Sequence, residues 1–264
     1  MPSGLAAVGM ARTGLVLHEV LDRGHRLMRD VTSGLCLGLF SQNVLSACCA
    51  LTYDDRDMYR TPEYNLSGLR EWERRFVERY PSPGTRLLVP CAGAGREVLA
   101  LHRRGFDVVA FECQPRLAEW GSAFLRSRGV PVQIRAAPPN RFPSGLPSCG
   151  GVIVGWGGYS HICPGSARIE FLRGARALLS PGDALLVSFL ERSTGNGDRA
   201  TRLACRLRRV LGRDALEPGD IFGPPPMHLF TGPEIEREIT SAGFRLDRYE
   251  SEGSYPHAVA IAVD

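Results

Sequence analysis

The chain has 264 residues, 44% of them hydrophobic and 23% charged, and carries a formal net charge of +4, enough for one large α/β domain with appendages or for two small domains. All 32 basic residues are arginine, which excludes a Walker lysine, a Schiff-base lysine and pyridoxal chemistry. The arginines are scattered; RLRR at 206–209 is the densest group and reads as the solvated face of an amphipathic helix, not a nucleic-acid site.

In chain order, residues 1 to about 80 read as helical. GLVLHEVLDRGHRLM at 14–28 and LREWERRFVERY at 69–80 space their apolar residues as helices do. Residues 31–52 carry no charge, yet Gln42 and Asn43 lie mid-segment among glycine and serine. That makes a membrane span costly and points to a buried or lid-forming helix. YDDRDMYRTPEYNLSG at 53–68 is polar and aromatic, with proline and glycine that argue against regular structure. PSPG at 81–84 marks a boundary, so 1–80 is read as a helical lid or cap and 81–264 as the main domain, with an insertion at 191–230.

From 86 onward strands are expected at 86–90, 107–112, 131–135, 151–155, 183–190, 244–250 and 257–263. Helices at 95–104, 115–128, 167–179 and 232–242 separate most of them. Continuous apolar strands alternating with helices predict a parallel sheet covered on both faces, and the last two strands, with no helix between them, predict an antiparallel pair at one end. The eight cysteines show no CxxC pair and no His/Cys spacing suited to zinc, so no metal is expected. Their apolar settings and the lack of a signal-peptide pattern suit a reducing cytoplasm.

RLLVPCAGAGRE at 86–97 ends a strand in a small-residue turn. Gly93 and Gly95 let a ligand approach the backbone, and the following helix offers free N–H groups. The next strand, FDVVAFE, ends in Glu112, placed to accept ribose hydroxyls across the strand ends. A dinucleotide site would want GxGxxG; the third glycine is missing and Glu97 would repel a pyrophosphate. An adenosyl ligand carrying a sulfonium and an ammonium tolerates that carboxylate.

With these residues in hand the chain resembles the class I S-adenosylmethionine-dependent methyltransferases, from about residue 60 to the C-terminus. RLLVPCAGAGREVLAL is similar to the family's first motif and GFDVVAFECQPRLAE to its second. GGVIVGWGGYSHI resembles the fourth-strand motif, FLRGARALLSPGDALLVSF the fifth helix and strand, and MHLFTGPEIEREITSAGFRLDRYE the late segment. VPCAGAG most resembles the small-molecule branch that includes thiopurine methyltransferase. The resemblance implies a Rossmann-like, mostly parallel seven-stranded sheet with an antiparallel C-terminal strand. It implies S-adenosylmethionine held by Pro90, Cys91, Ala92, Gly93, Gly95, Glu97, Glu112, Cys113, Ala137, Gly155 and Trp156. Val89 stands where the family has an acid and Cys91 replaces its first glycine, which leaves Glu97 as the partner for the ligand's amine. After the third strand RAAPPNRF lacks the usual acid, so backbone at Ala136 or Ala137 is expected to read the adenine.

Methyl transfer needs alignment, a desolvated pocket and in some cases a base. The candidate catalytic residues are Tyr159 and His161 after the fourth strand, His228 in PPPMHLFT, and Tyr53 and Tyr64 in the polar loop, with Ser188 weaker. Trp156 is either a wall for the sulfonium or core packing; His161 is either a base or a helix-cap histidine. The 31–65 segment is either a roof closing on a small acceptor or a dimerisation arm. Expected partners are a small molecule, no nucleic acid and no membrane, with a homodimer as the alternative use of that segment. Two other functions remain open: a cyclase of the same fold that releases methylthioadenosine and azetidine-2-carboxylate in place of S-adenosylhomocysteine, and a non-catalytic binding module.

Overall fold

The computed structural model describes residues 4–192, 198–213, 215–251 and 255–264, and of 4–14 and 198 the backbone alone. Contacts divide the chain into two compact units, Met1–Phe40 with Gly197–Phe222, and Ser41–Asn196 with Gly223–Asp264. The division therefore falls at Phe40–Ser41, not at residue 80, and part of the expected 191–230 insertion, 193–197 and 214, lies outside the described residues. The reason is local. The uncharged 31–52 segment is two helices, α1 (Gly4–Leu39) and α2 (Gln42–Asp54), because Ser41 takes extended backbone and its side chain accepts the Val44 N–H as an N-cap.

The first unit pairs α1 with α8 (Asp198–Val210). The two backbones approach closely at Gly34, where a Cβ would lie 2.8 Å from the Ala200 carbonyl and 3.1 Å from Leu203. The RLRR cluster is not wholly solvated: Arg208 is buried and donates to the Leu37 carbonyl at 3.1 Å and the Phe40 carbonyl at 3.4 Å. These two carbonyls close α1, whose last turn holds no basic residue of its own, so a buried guanidinium answers its orphan acceptors.

The second unit carries the sheet. After α2 come a 3₁₀ turn (Asp57–Arg60), α3 (Pro62–Leu66) and α4 (Glu71–Arg79), so the polar 53–68 stretch holds more regular structure than its prolines suggest. Pro62 occupies the first helical position, where its missing N–H costs nothing, behind the Thr61 N-cap. Then follow β1 (Arg86–Pro90), α5 (Arg96–His102), β2 (Asp107–Glu112), α6 (Pro115–Ser127), β3 (Ile134–Ala136), β4 (Gly151–Val154), a 3₁₀ turn (Gly158–His161), α7 (Gly165–Arg176) and β5 (Ala184–Ser188). The chain ends with α9 (Gly232–Ser241), β8 (Phe244–Glu250) and β9 (His257–Ala262), after the two-residue strands β6 (Asp220–Ile221) and β7 (Met227–His228).

The sheet order is β3-β2-β1-β4-β5-β9-β8. Its first five strands are parallel, and β9 runs antiparallel to β5 and β8, as the alternation and the helix-free last connection predicted. Strand alternation divides the core: Leu87 and Val89 join Phe76, Val98 and Leu125 on one face, while Leu88 joins Phe171, Leu172 and Ile235 on the other. The chain reverses direction across the sheet between β1 and β4, so the crevice outside their carboxyl ends is where an open α/β sheet offers a ligand site. Among the described residues no helix is long and apolar enough to cross a membrane.

Replacing Gly34 by leucine is expected to cost the α1–α8 unit about 1–3 kcal/mol, because the nearest atom is backbone and cannot give way. Hydrogen exchange checks it: amides of α1 and α8 should lose protection while those of β1, β4 and β5 keep theirs. Unchanged protection in α8 would show that the close approach carries no energy.

Candidate active site

The turn after β1 and the ends of β2 and β4 open into a cleft of about 1060 Å³, counting space continuous with solvent. All the residues that line it belong to the second unit. Cys91, Ala92, Gly93, Glu97, Glu112, Cys113, Gly155 and Trp156 of the expected binding set line it, and Pro90, Gly95 and Ala137 do not. Those three have structural duties. Pro90 ends β1, Gly95 takes a φ of 96° to start α5, and the Ala137 N–H, expected at an adenine, donates to the Glu112 carbonyl at 2.9 Å.

Glu112 is buried at the tip of β2. One carboxylate oxygen accepts the Gly93 N–H at 2.8 Å and the other the Gln114 N–H at 2.9 Å. Burial raises its pKa, and those two N–H groups oppose the rise. The Cys113 thiol and backbone also oppose the rise, so Cys113 shares this carboxylate.

At the other end of the turn lies a buried cluster that the sequence does not announce. Arg96 donates through both terminal nitrogens to Glu73, at 2.8 and 2.6 Å, through one of them also to the Gly68 carbonyl, and pairs with Glu97. Glu73 is fully buried on α4 and also accepts the Arg70 N–H at 2.7 Å. Two carboxylates share one guanidinium, so with both ionised the cluster is one negative charge in excess. Burial pushes Glu97 up to about 7; Arg96 pulls it down, and Glu73 pushes it further up. Gly155 is obligatory beside it, since a Cβ there would sit 2.6 Å from a Glu97 oxygen and 3.0 Å from a Glu73 oxygen.

The roof comes from α2 to α3. Ring contacts run from His161 to Tyr53 (5.8 Å), Tyr59 (5.6 Å), Tyr64 (5.2 Å), Trp156 (5.7 Å) and Tyr255 (4.5 Å). Gln42 donates to the Cys163 carbonyl at 2.9 Å, Arg56 to the Pro224 carbonyl at 2.6 Å, and Asn140 to the Ser46 hydroxyl at 3.4 Å. Trp156 lines the cleft, but the Arg70 guanidinium sits 4.3 Å from its ring centroid and Tyr255 closes on it as well, so a cation–π role there is already taken. His161 lines the cleft as a neutral ring, its pKa lowered to about 4 by burial, and its Nδ1 is buried with no hydrogen-bond partner among the described residues. Tyr53 and Tyr64 also line it; burial raises both phenols, so both stay protonated.

Tyr159 and His228 are corrections. The Tyr159 side chain turns into the core, stacks on Phe230 and donates to Glu238 at 2.6 Å. His228 is buried edge-on to the same Phe230 ring at 4.5 Å, away from the cleft. Ser188 accepts the Gly157 N–H and donates to the Pro256 carbonyl, a strand-end fastening. Sequence reasoning missed Glu73, hidden in a run that reads as a solvated helix face, together with Gln114 and Asn140. Backbone geometry flags the site independently: the non-glycine residues with positive φ among those described, Cys91 (53°), Asn140 (58°) and Trp156 (50°), all line this cleft.

No family profile matches the chain, and no curated protein is similar to it. Solved structures are. The 1,6-didemethyltoxoflavin-N1-methyltransferase of Burkholderia thailandensis, solved with its substrate and S-adenosylhomocysteine, superposes with a TM-score of 0.58 at 19% identity, covering 86% of this chain and 92% of that one. The fold is that of the class I S-adenosylmethionine-dependent methyltransferases. A sugar N-methyltransferase from Streptoalloteichus (TM-score 0.58, 16% identity, 78% of this chain and 92% of that one) agrees. So does a methyltransferase from Methanosarcina mazei (TM-score 0.59, 14% identity, 74% and 99%). On this methyltransferase fold the acid usual at the end of β1 is absent, Val89 standing in its place, and Glu97 reaches the cleft from the first turn of α5 instead.

Glu97 makes stability pH-dependent with a definite sign. Its folded pKa is raised above the unfolded 4.5, so the native state holds the extra proton between about 4.5 and about 7. Stability should therefore fall as pH rises through that window and level off above it. Denaturant titrations of Glu97→Gln should show a shallower fall; Glu112, raised in the same direction, keeps part of the slope. An unchanged slope in Glu97→Gln would remove Glu97 from this role.

Proposed function

We propose that this protein is an S-adenosylmethionine-dependent methyltransferase that acts on a small-molecule acceptor. The observation that carries the reading is one cleft with two chemistries, a floor of buried carboxylates and a roof of uncharged, mostly aromatic side chains. The floor suits a cationic adenosyl ligand. Glu112 offers charged acceptors to a ribose diol, Gly93 presents open backbone where a Cβ would meet nothing, and the excess negative charge of the Glu73–Arg96–Glu97 cluster suits an ammonium. A pyrophosphate would meet the same carboxylates and no uncommitted cation in the floor.

When bound, S-adenosylmethionine supplies an activated methyl group. The chain's own residues hold the reactants and exclude water: Tyr53, Tyr59 and Tyr64 cover the cleft from above, and low dielectric inside strengthens each electrostatic contact. His161, neutral at physiological pH, offers a ring nitrogen to the acceptor's hydrogen. Residues 42–66 serve as the roof that closes on the reactants, and the expected lid is thus assigned to α2, the 3₁₀ turn and α3.

Glu112→Ala should weaken S-adenosylmethionine binding roughly 30- to 150-fold, about 2–3 kcal/mol, as a charged acceptor of two hydrogen bonds is lost; calorimetry showing unchanged affinity would sink the assignment. Incubation with S-adenosylmethionine alone should give no methylthioadenosine, whose appearance would establish the cyclase instead. S-adenosylhomocysteine should form only with an acceptor. Trypsin cleavage after Arg56 and Arg60 should slow when S-adenosylhomocysteine is added, since closure takes that loop from solvent. Equal cleavage with and without ligand would make the roof static.

A further inference from the structure

α1 holds more helix than its own unit covers. α8 runs beside it in the same direction, so that Gly34 meets Ala200 and Leu203, and Gly38 meets Ala204 and Leu207. Upstream of that contact residues 15–29, about four turns, are exposed, with only Asp22 half-buried. This stretch is not a polar face. Leu17, Leu21, Gly24, Met28, Val31 and Leu35 follow one another at spacings of four and three, the repeat of a helix that packs along another helix. Val20 and Leu27 widen the stripe on one side, and Leu21 and Met28 are 63% and 71% exposed. Apolar residues exposed singly need no explanation; a continuous stripe of them marks a contact surface.

Charge decides what covers it. Over 15–31, Glu19, Asp22 and Asp30 match Arg23, Arg26 and Arg29, three acids against three bases, and Glu19–Arg23 and Asp22–Arg26 are ion pairs one turn apart. A helix that lies on an anionic lipid surface carries an excess of basic residues on its polar face. This one carries no excess. A balanced set is answered by the same set in reverse, which a second copy of the chain supplies. Glycine inside a helix weakens it, and a Cβ at Gly24 would meet no atom within 4 Å, so no described residue requires the glycine there.

We propose that α1 is a dimerisation helix, on which two copies of this chain pair their apolar stripes antiparallel about a two-fold axis. Laid end to end, the stripes bring Leu17 level with the partner's Leu35, Leu21 with the partner's Val31 and Gly24 with the partner's Met28. The long Met28 side chain then lies over the residue that has none, which accounts for glycine at 24. Arg23 and Asp30 stand two turns apart along the widened side of the stripe. The same register brings Arg23 within one residue of the partner's Asp30, and symmetry makes the pair twice. A parallel arrangement would set Arg23 against its own copy and Asp30 likewise, so the charges select the antiparallel one. The stripe offers on the order of 600 Å² of apolar surface per copy, hence about 1,200 Å² for the pair, which reaches the range of specific interfaces.

Sedimentation velocity on the full chain in the micromolar range tests it. The unchanged protein should sediment with the mass of two chains, and Leu21→Glu should weaken self-association by about 100-fold or more, leaving one chain. Arg23→Glu and Asp30→Arg, each a change of an accessible charge that leaves the apolar stripe intact, should each weaken it about tenfold. The double variant restores opposite signs across the axis and should return to within about threefold of the unchanged protein. Circular dichroism on each variant reports that the fold is kept. Flotation with vesicles of phosphatidylglycerol and phosphatidylcholine should leave the protein unbound. A one-chain mass for the unchanged protein would overturn the proposal, and if that single chain floated with the vesicles the stripe would belong to a membrane surface. A dimer indifferent to Leu21→Glu would overturn it too, and a double variant no tighter than the single ones would overturn the antiparallel pairing.

Discussion

The Glu73–Arg96–Glu97 cluster is the contact on which the second unit is organised. Arg96 sits at the first position of α5, Glu73 on α4 and Glu97 one residue on, so a single guanidinium fixes the helix before the sheet to the turn after its first strand. It also touches the end of β4, because only glycine at 155 leaves the carboxylates room. A buried ion group of this kind gains little net stability over a packed apolar one, since each charge is removed from water; breaking it by deleting one partner is what costs, about 3–5 kcal/mol. Its value here is specificity of position. It sets the turn 91–95 against Trp156 and leaves a residual negative charge facing the cleft.

That geometry accommodates the departures from the first motif usual on this fold. The family's acid at the end of β1 would occupy the place of Val89, which here belongs to the core beside Phe76. The next carboxylate along the chain stands eight residues on, at Glu97, where Arg96, itself anchored on Glu73 of α4, holds it. Burial works against the charge on Arg96, but Glu97 and Glu73 together raise its pKa. The cation is therefore permanent, whereas the second carboxylate is conditional, since burial and the neighbouring Glu73 favour its protonated form.

The sheet was legible where β1, β2, β4 and β5 are buried and read as nearly continuous apolar runs, and 86–90, 107–112 and 244–250 coincide with β1, β2 and β8; β3, exposed at Arg135 and Ala136, lies at Ile134–Ala136 and not at 131–135. Glu112 was legible for the same reason, as the first charge after such a run. Ser41 was not: a single N-cap splits an uncharged stretch that pattern alone joins into one helix. Tyr159 and His161 show the sharper limit. They are two residues apart in one 3₁₀ turn, and the turn sends one side chain to Glu238 in the core and the other to the cleft. Glu73 lay out of reach because its partner is 23 residues away across a strand boundary, and a charged residue on a helix with charged neighbours looks solvated until the fold is known.

Backbone strain leads to the same cleft by an independent route. An L residue with positive φ gives up on the order of 1–2 kcal/mol that glycine would not. Cys91, Asn140 and Trp156 each adopt it, and each is held from more than one side. Asn140 receives the Cys163 N–H at 3.1 Å and donates to Ser46 of the roof. Trp156 lies against Arg70 and Tyr255, and a Cβ at Gly158 would come within 3.1 Å of Cys91. A glycine at any of the three would relax the backbone and lose a side chain that shapes the pocket. Folding alone gives no reason to keep the bulkier residues in these conformations. They come from three different loops, after β1, β3 and β4, and meet only around this space. Strain dispersed over three loops and focused on one cleft is what preorganisation for a ligand requires. The ionic cluster fixes the floor of that cleft, and the strained residues, with the roof that Asn140 reaches, fix its walls.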